Sequence, residues 1–195
     1  MLHKKSILAL ALITAPLFAQ AAVTQGQLTF TWQATVPATE VISNTWKFTD
    51  ATGNDYTPSP LVLRASVSDD SSLDLVTQAP ASFEIRSNAN NLNSVAAYLA
   101  STPSSTGFTQ PLTLKTTLAA PDENEVIVLL NGQPLKVGSS NSTTINNSIG
   151  NTSTSMDLAL YAKVAQGNYT PGGSVSFSTP VVFSVNIADV GGASA

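Results

Sequence analysis

Few residues in this chain could do chemistry. Cysteine is absent, and the one histidine, His3, sits in a basic start that reads as the head of a leader. Without either residue in its mature part, the chain has no Ser–His or Cys–His nucleophile pair and none of the usual zinc-ligand sets. Carboxylates remain. Asp69, Asp70 and Asp74 are close enough in sequence to bind calcium loosely, but no glycine-spaced calcium loop accompanies them, so a hydrophilic turn is expected. The acidic run Asp122–Glu125 reads as a solvated turn rather than a metal cluster. A carboxylate pair for glycoside hydrolysis would have to come from distant positions, and with only twelve acids nothing points to one. There is no glycine-rich loop before a lysine and no GxSxG. The expectation is a protein that is not an enzyme and holds no metal or cofactor. Asn-x-Ser/Thr sequons at Asn141, Asn146, Asn151 and Asn168 follow from a composition rich in Asn, Ser and Thr and are not read as glycosylation sites.

Residues 1–21 are expected to be a secretory signal peptide. Lys4 and Lys5 precede an apolar run from Ile7 to Phe18, too short to span a bilayer comfortably, and Ala19-Gln20-Ala21 is a small-x-small cleavage site. The mature chain would then have 195 − 21 = 174 residues, enough for one domain with a sizeable core. Its six basic and twelve acidic residues give 6 − 12 = −6, so nucleic acid is not an expected partner. A secreted domain without disulfides needs a large core or association for stability.

Many short strands separated by turn signals indicate an all-β sandwich. Val41–Phe48 offers Val41, Trp46 and Phe48 to a core, and Asp50–Pro60 is a surface loop. Leu61–Val67 alternates with Leu61, Leu63, Ala65 and Val67 on one face; Leu73–Val76 is short and apolar; Ala81–Ser87 turns Phe83 and Ile85 inward and Glu84 and Arg86 outward. In Asn88–Ser105 the spacing of Leu92, Val95, Ala96 and Leu99 suggests one or two helical turns. Pro111–Leu118 reads as a strand with Leu112, Leu114 and Leu118 on one face. Glu125–Val137 reads as a hairpin closed by Asn131-Gly132, since both positions tolerate positive φ. Gly138–Ser155 is a mobile loop or part of an edge strand. Met156–Val164 points Met156, Leu158, Leu160, Ala162 and Val164 inward, and Gly167–Gly173 is a tight turn.

Two ribbons remain, one at each end. In Gln27–Val36, Leu28, Phe30, Trp32, Ala34 and Val36 share one parity, and hydroxyl and amide residues share the other. The apolar face must be buried somewhere, either in this chain's own sheet or in another copy. In Ser174–Ile187, Val175, Phe177, Val181, Phe183, Val185 and Ile187 share a parity, and Pro180, which cannot donate a ladder hydrogen bond, marks a bulge or an edge in mid-strand. The tail Gly191–Ala195 looks frayed.

With QLTFTWQATVP at the start, the LLNGQPL hairpin and AQGNYTPGGSVSF near the end, the chain resembles the cysteine-free α-type chaperone–usher pilins: the colonization factor antigen I group, with the E. coli common pilus subunit as a relative. The likeness covers both ends and the order of elements, while residues 41–110 do not align. The ending GGSVSFSTPVVFSVNIADVGGASA is longer than that of a typical pilin. The resemblance implies an incomplete immunoglobulin-like β-sandwich completed by donor-strand exchange, with residues 22–37 as the donor strand and 38–195 as the pilin domain. Leu28, Phe30, Trp32, Ala34 and Val36 would fill a neighbour's groove beside the C-terminal strand carrying Val175, Phe177, Val181, Phe183, Val185 and Ile187. The implied partners are other copies or fellow pilins, a periplasmic chaperone and an outer-membrane usher, with room for a host receptor. The implied location is a cell-surface fimbria reached through the periplasm. The competing reading is a lone secreted or periplasmic β-sandwich that binds a ligand.

Overall fold

A computed structural model describes residues 30–33, 46–88, 91–146 and 150–187. The strands are β1 (Phe30–Gln33), β2 (Trp46–Thr49), β3 (Leu61–Val67), β4 (Leu73–Thr77), β5 (Ala81–Ser87), β6 (Leu92–Leu99), β7 (Ser104–Thr106) and β8 (Thr113–Leu114). They continue as β9 (Glu125–Leu130), β10 (Gln133–Pro134), β11 (Thr143–Asn146), β12 (Ser153–Val164), β13 (Ser176–Ser178) and β14 (Val181–Ile187). Eleven belong to one sheet, whose main path runs β10-β9-β12-β4-β3-β1-β13-β7, and three form the second, β11-β6-β14. The fold is the expected all-β, immunoglobulin-like class.

The longest strand, β12, organises the large sheet. Its first half pairs with β5, from Ser153↔Arg86 to Leu158↔Ala81, and its second half with β4 and β9. The alternation of Met156, Leu158, Leu160, Ala162 and Val164 puts all five in the core, each at most 3% exposed. Strands β3 and β5 have the boundaries expected from their patterns. Glu84 and Arg86 share the other face of β5, paired at 2.7 Å. The inward face of β3 is shorter than expected: Leu63 is buried, Leu61 and Ala65 are half-buried, and Val67 is 64% exposed where the strand runs out into the Asp69–Ser72 turn. The β9–β10 turn is the expected Asn-Gly turn, with φ of 49° at Asn131 and 75° at Gly132.

Two local expectations are corrected, and a third resolves to one of its alternatives. Residues 92–99 are a strand, β6, and not helical turns. Its register with β14 jumps from Asn186↔Ser94 to Ile187↔Leu92, leaving Asn93 as an extra residue. That bulge turns both Leu92 and Val95 inward at a spacing of three, which in sequence imitates a helix; farther along, Ala97 is buried and Ala96 is not. In residues 111–118 only Thr113–Leu114 is strand, paired in parallel with the start of β9, and Leu118 is 66% exposed. Between Gly138 and Ser155 the edge-strand alternative is realised in part: β11 flanks β6 at the rim of the small sheet.

The acids form turns and ion pairs. Asp70 accepts hydrogen bonds from Ser72 and from Lys163 at 2.8 Å, and chiefly the lysine holds its carboxyl well below the usual carboxylate range. Lys115 bridges Asp122 and Glu125 at 2.8 Å each, which pushes the ammonium up, Asp122 contributing most. No His, Cys, Asp or Glu cluster able to hold a metal occurs among the described residues. Asn168 is 5% exposed, its carboxamide taken up by Thr109, Gln110 and Asn124, so the folded chain does not present it for modification.

The polypeptide crosses from the large sheet to the small one at Thr179-Pro180. Thr179 is 0% exposed and its hydroxyl has no hydrogen-bond partner. A buried hydroxyl without a partner is destabilising, and valine has nearly the same shape. Thr179→Val is therefore expected to stabilise the subunit by about 1 kcal/mol in thermal or urea unfolding. A loss of similar size would show that the hydroxyl is hydrogen-bonded after all.

Candidate assembly surface

The two terminal ribbons meet. Strand β1 lies between β3 and β13 of its own chain, antiparallel to the first and parallel to the second. Phe30 stands opposite Leu63; Trp32 stands opposite Leu61 on one side and Phe177 on the other; Thr31 stands opposite Val62 and Ser176. The neighbours of Trp32 belong to the inward face, Phe177 at 2% exposure and Leu61 half-buried, whereas Val62 is 51% exposed. The register thus sets position 32 beside a buried and a half-buried neighbour and position 31 beside an exposed one. Leu28, Ala34 and Val36 lie outside the described residues.

The expected single C-terminal strand is two. Val175 and Phe177 belong to the approach to β13 and to β13 itself; Val181, Phe183, Val185 and Ile187 belong to β14, in the other sheet. The common parity survives the crossing, because Thr179 keeps its place in the alternation and Pro180 carries the turn between sheets. Val175, Phe177, Val181 and Phe183 are each at most 7% exposed. Val185 and Ile187 pack against the core while half-exposed.

Strand β14 pairs with β6 along one edge, and no strand pairs with its other edge among the described residues. Where β14 faces the large sheet, a mostly apolar cleft opens, walled by Val181, Phe183, Ala81, Phe83, Leu158 and Leu61, with Tyr56, Pro58 and Ser59 completing it. A chain of aromatic contacts backs the wall. Phe183 meets Phe48 at 5.4 Å and Phe83 at 5.6 Å, both edge-on, and Tyr56 stacks on Phe83 at 5.1 Å. Burial pushes the Tyr56 hydroxyl up, and no charged side chain lines the cleft. A surface of this kind suits apolar side chains and unpaired backbone rather than a polar small molecule. Sequence reasoning found the β14 wall and missed the opposite one. Tyr56 to Leu61, Ala81 with Phe83, and Leu158 come from three separate segments, and nothing in any one of them announces a shared cleft.

No family model matches the chain. The CS5 fimbrial subunit of Escherichia coli is 33% identical to it over 198 aligned positions, spanning 93% of this chain and 96% of that protein. Likeness of that extent, over an all-β sandwich with the terminal motifs of pilins, places the chain in the family of chaperone–usher fimbrial subunits, as a structural component of a cell-surface fimbria built from pilin copies.

Proposed function

We propose that this subunit polymerises by donating residues 22–37 to the groove of a neighbouring copy, with Leu28, Phe30, Trp32, Ala34 and Val36 as the groove-filling residues and 38–195 as the receiving body. The observation that carries this reading is the outer edge of β14, without a strand partner among the described residues, beside an apolar cleft. An open backbone edge next to apolar pockets is what an added strand needs: ladder hydrogen bonds give affinity and alternate side chains give register. Five inserted side chains at ~1.5–3 kcal/mol each, less for alanine, amount to about 10 kcal/mol before ordering costs. On this reading residues 1–21 direct export, a periplasmic chaperone covers the edge first, and an outer-membrane usher mediates the exchange. The cis placement of β1, four residues between β3 and β13, is then the resting position of a strand that leaves on assembly.

That cis placement also favours the second reading, a self-contained sandwich whose first strand never leaves. Deleting residues 22–36 separates the two. The mature wild-type chain is expected to form SDS-stable ladders. The deleted chain is expected to form none alone, yet to bind a synthetic peptide of residues 27–36. Ladders that persist without the strand, or fimbrial material in which β1 remains protected from hydrogen exchange by its own chain, would favour the self-contained sandwich.

A further inference from the structure

Asn131 and Gly132 are the chain's single Asn-Gly step. In such a step the following amide nitrogen, unhindered by a side chain, is well able to attack the asparagine carboxamide. Here the carboxamide is occupied. Its Oδ1 accepts the Asp157 N–H at 2.7 Å and its Nδ2 donates to the Ser155 carbonyl at 3.0 Å. The Asn131 backbone N–H donates to the Asp157 carbonyl at 2.9 Å. Together these bonds carry the β9–β12 ladder one step past its last residue pair, Leu130↔Leu158. Asn131 is exposed, so water reaches it. The restraint is one of direction: the carboxamide is held sideways against β12, whereas ring closure needs it folded back over the Gly132 nitrogen.

We infer that Asn131 is a hydrolytic modification site gated by the fold, closed while the hairpin is docked on β12 and reactive once it opens. In the step, the Gly132 nitrogen gives its proton to solvent base and bonds to Asn131 Cγ. The carboxamide C–N bond breaks and ammonia leaves. Water then opens the resulting cyclic imide at either carbonyl, giving aspartate or isoaspartate at position 131. The balance is one water consumed and one ammonia released. Neither product restores the lock. A carboxylate cannot donate to the Ser155 carbonyl, and isoaspartate adds a methylene to the main chain of a two-residue turn. Conversion is therefore a lasting mark on subunits whose hairpin has been open, whatever the route of assembly.

The two close partners of the carboxamide are backbone groups, with the Met156 sulfur a longer contact at 3.9 Å from Nδ2, so the test opens the hairpin with denaturant rather than by substitution. The mature chain is incubated at mildly alkaline pH in buffer, in graded urea and fully unfolded, and position 131 is followed by peptide mapping that separates asparagine, aspartate and isoaspartate. The folded chain is expected to convert at least about tenfold more slowly than the unfolded one, with the rate rising as the hairpin opens. Gly132→Ala is expected to slow the unfolded reaction. A folded rate within about twofold of the unfolded rate would overturn the gating. Equal unfolded rates for wild type and Gly132→Ala would overturn the assigned attack by the Gly132 nitrogen.

Discussion

Trp32→Asp is expected to leave a folded subunit that binds a chaperone but cannot extend a fibre, while Thr31→Asp, one residue away, still assembles. The contrast rests on the period of a strand. Trp32 stands in register with half-buried Leu61 and buried Phe177, and Thr31 with exposed Val62 and half-buried Ser176. A carboxylate at position 32 would be carried into an apolar site without a partner, at a cost of about 3–5 kcal/mol or, equivalently, with loss of ionisation. Position 31 has the opposite parity and is in register with exposed Val62 and half-buried Ser176, so the same carboxylate is expected to cost far less there. The body should survive, because β1 contributes four residues to a sheet anchored by β12, β9, β4 and β5. SDS-stable ladders from surface-sheared material score the result. Equal ladders from both variants, or loss of chaperone binding with Trp32→Asp, would mean that the strand is an ordinary core strand.

Gly107→Ala is expected to be the most damaging single-methyl change in the body. Gly107 ends β7 at φ 88°, and a Cβ there would stand 2.2 Å from the Ser174 carbonyl oxygen and 2.8 Å from Val175 Cγ1. The backbone conformation alone costs about 1–2 kcal/mol in an L-residue. The overlap falls on main chain, which can yield only by shifting the entry to β13, the strand against which β1 lies. The total is expected to be on the order of 3–5 kcal/mol, lowering Tm by about 10 °C or more. Gly53→Ala is the control. Gly53 has φ 89° with nothing within 4 Å of its Cβ position, so only the backbone part applies. If the two variants lose equal stability, the close approach to Ser174 does not matter. If Gly107→Ala also weakens ladder formation at temperatures where it is folded, the β7–β13 junction positions the groove as well as the core.

Much of this molecule was legible in its alternations. Leu61–Val67, Ala81–Ser87 and Met156–Val164 announce strands because a sheet buried on one face forces period two on the side chains, and the Asn131-Gly132 turn follows from positive φ at both positions. The shared parity of Val175, Phe177, Val181, Phe183, Val185 and Ile187 was legible too, as was the absence of histidine and cysteine from the chain beyond His3. Tertiary structure decided what local pattern does not encode. The bulge at Asn93 made a strand look helical, since one extra residue turns a spacing of two into three. Pro180 marked an interruption, but that the chain changes sheets there, leaving β14 with an edge unpaired among the described strands, depends on β6 arriving from eighty residues away. The cleft wall opposite β14 is assembled from three segments far apart in sequence, so its existence is a property of packing alone. The apolar face of residues 27–36 fixes only that it must be buried. The choice between its own sheet and a neighbour's is one of competing partners for the same strand, and it is made by the free energies of the assembled sheets rather than by any residue in the ribbon.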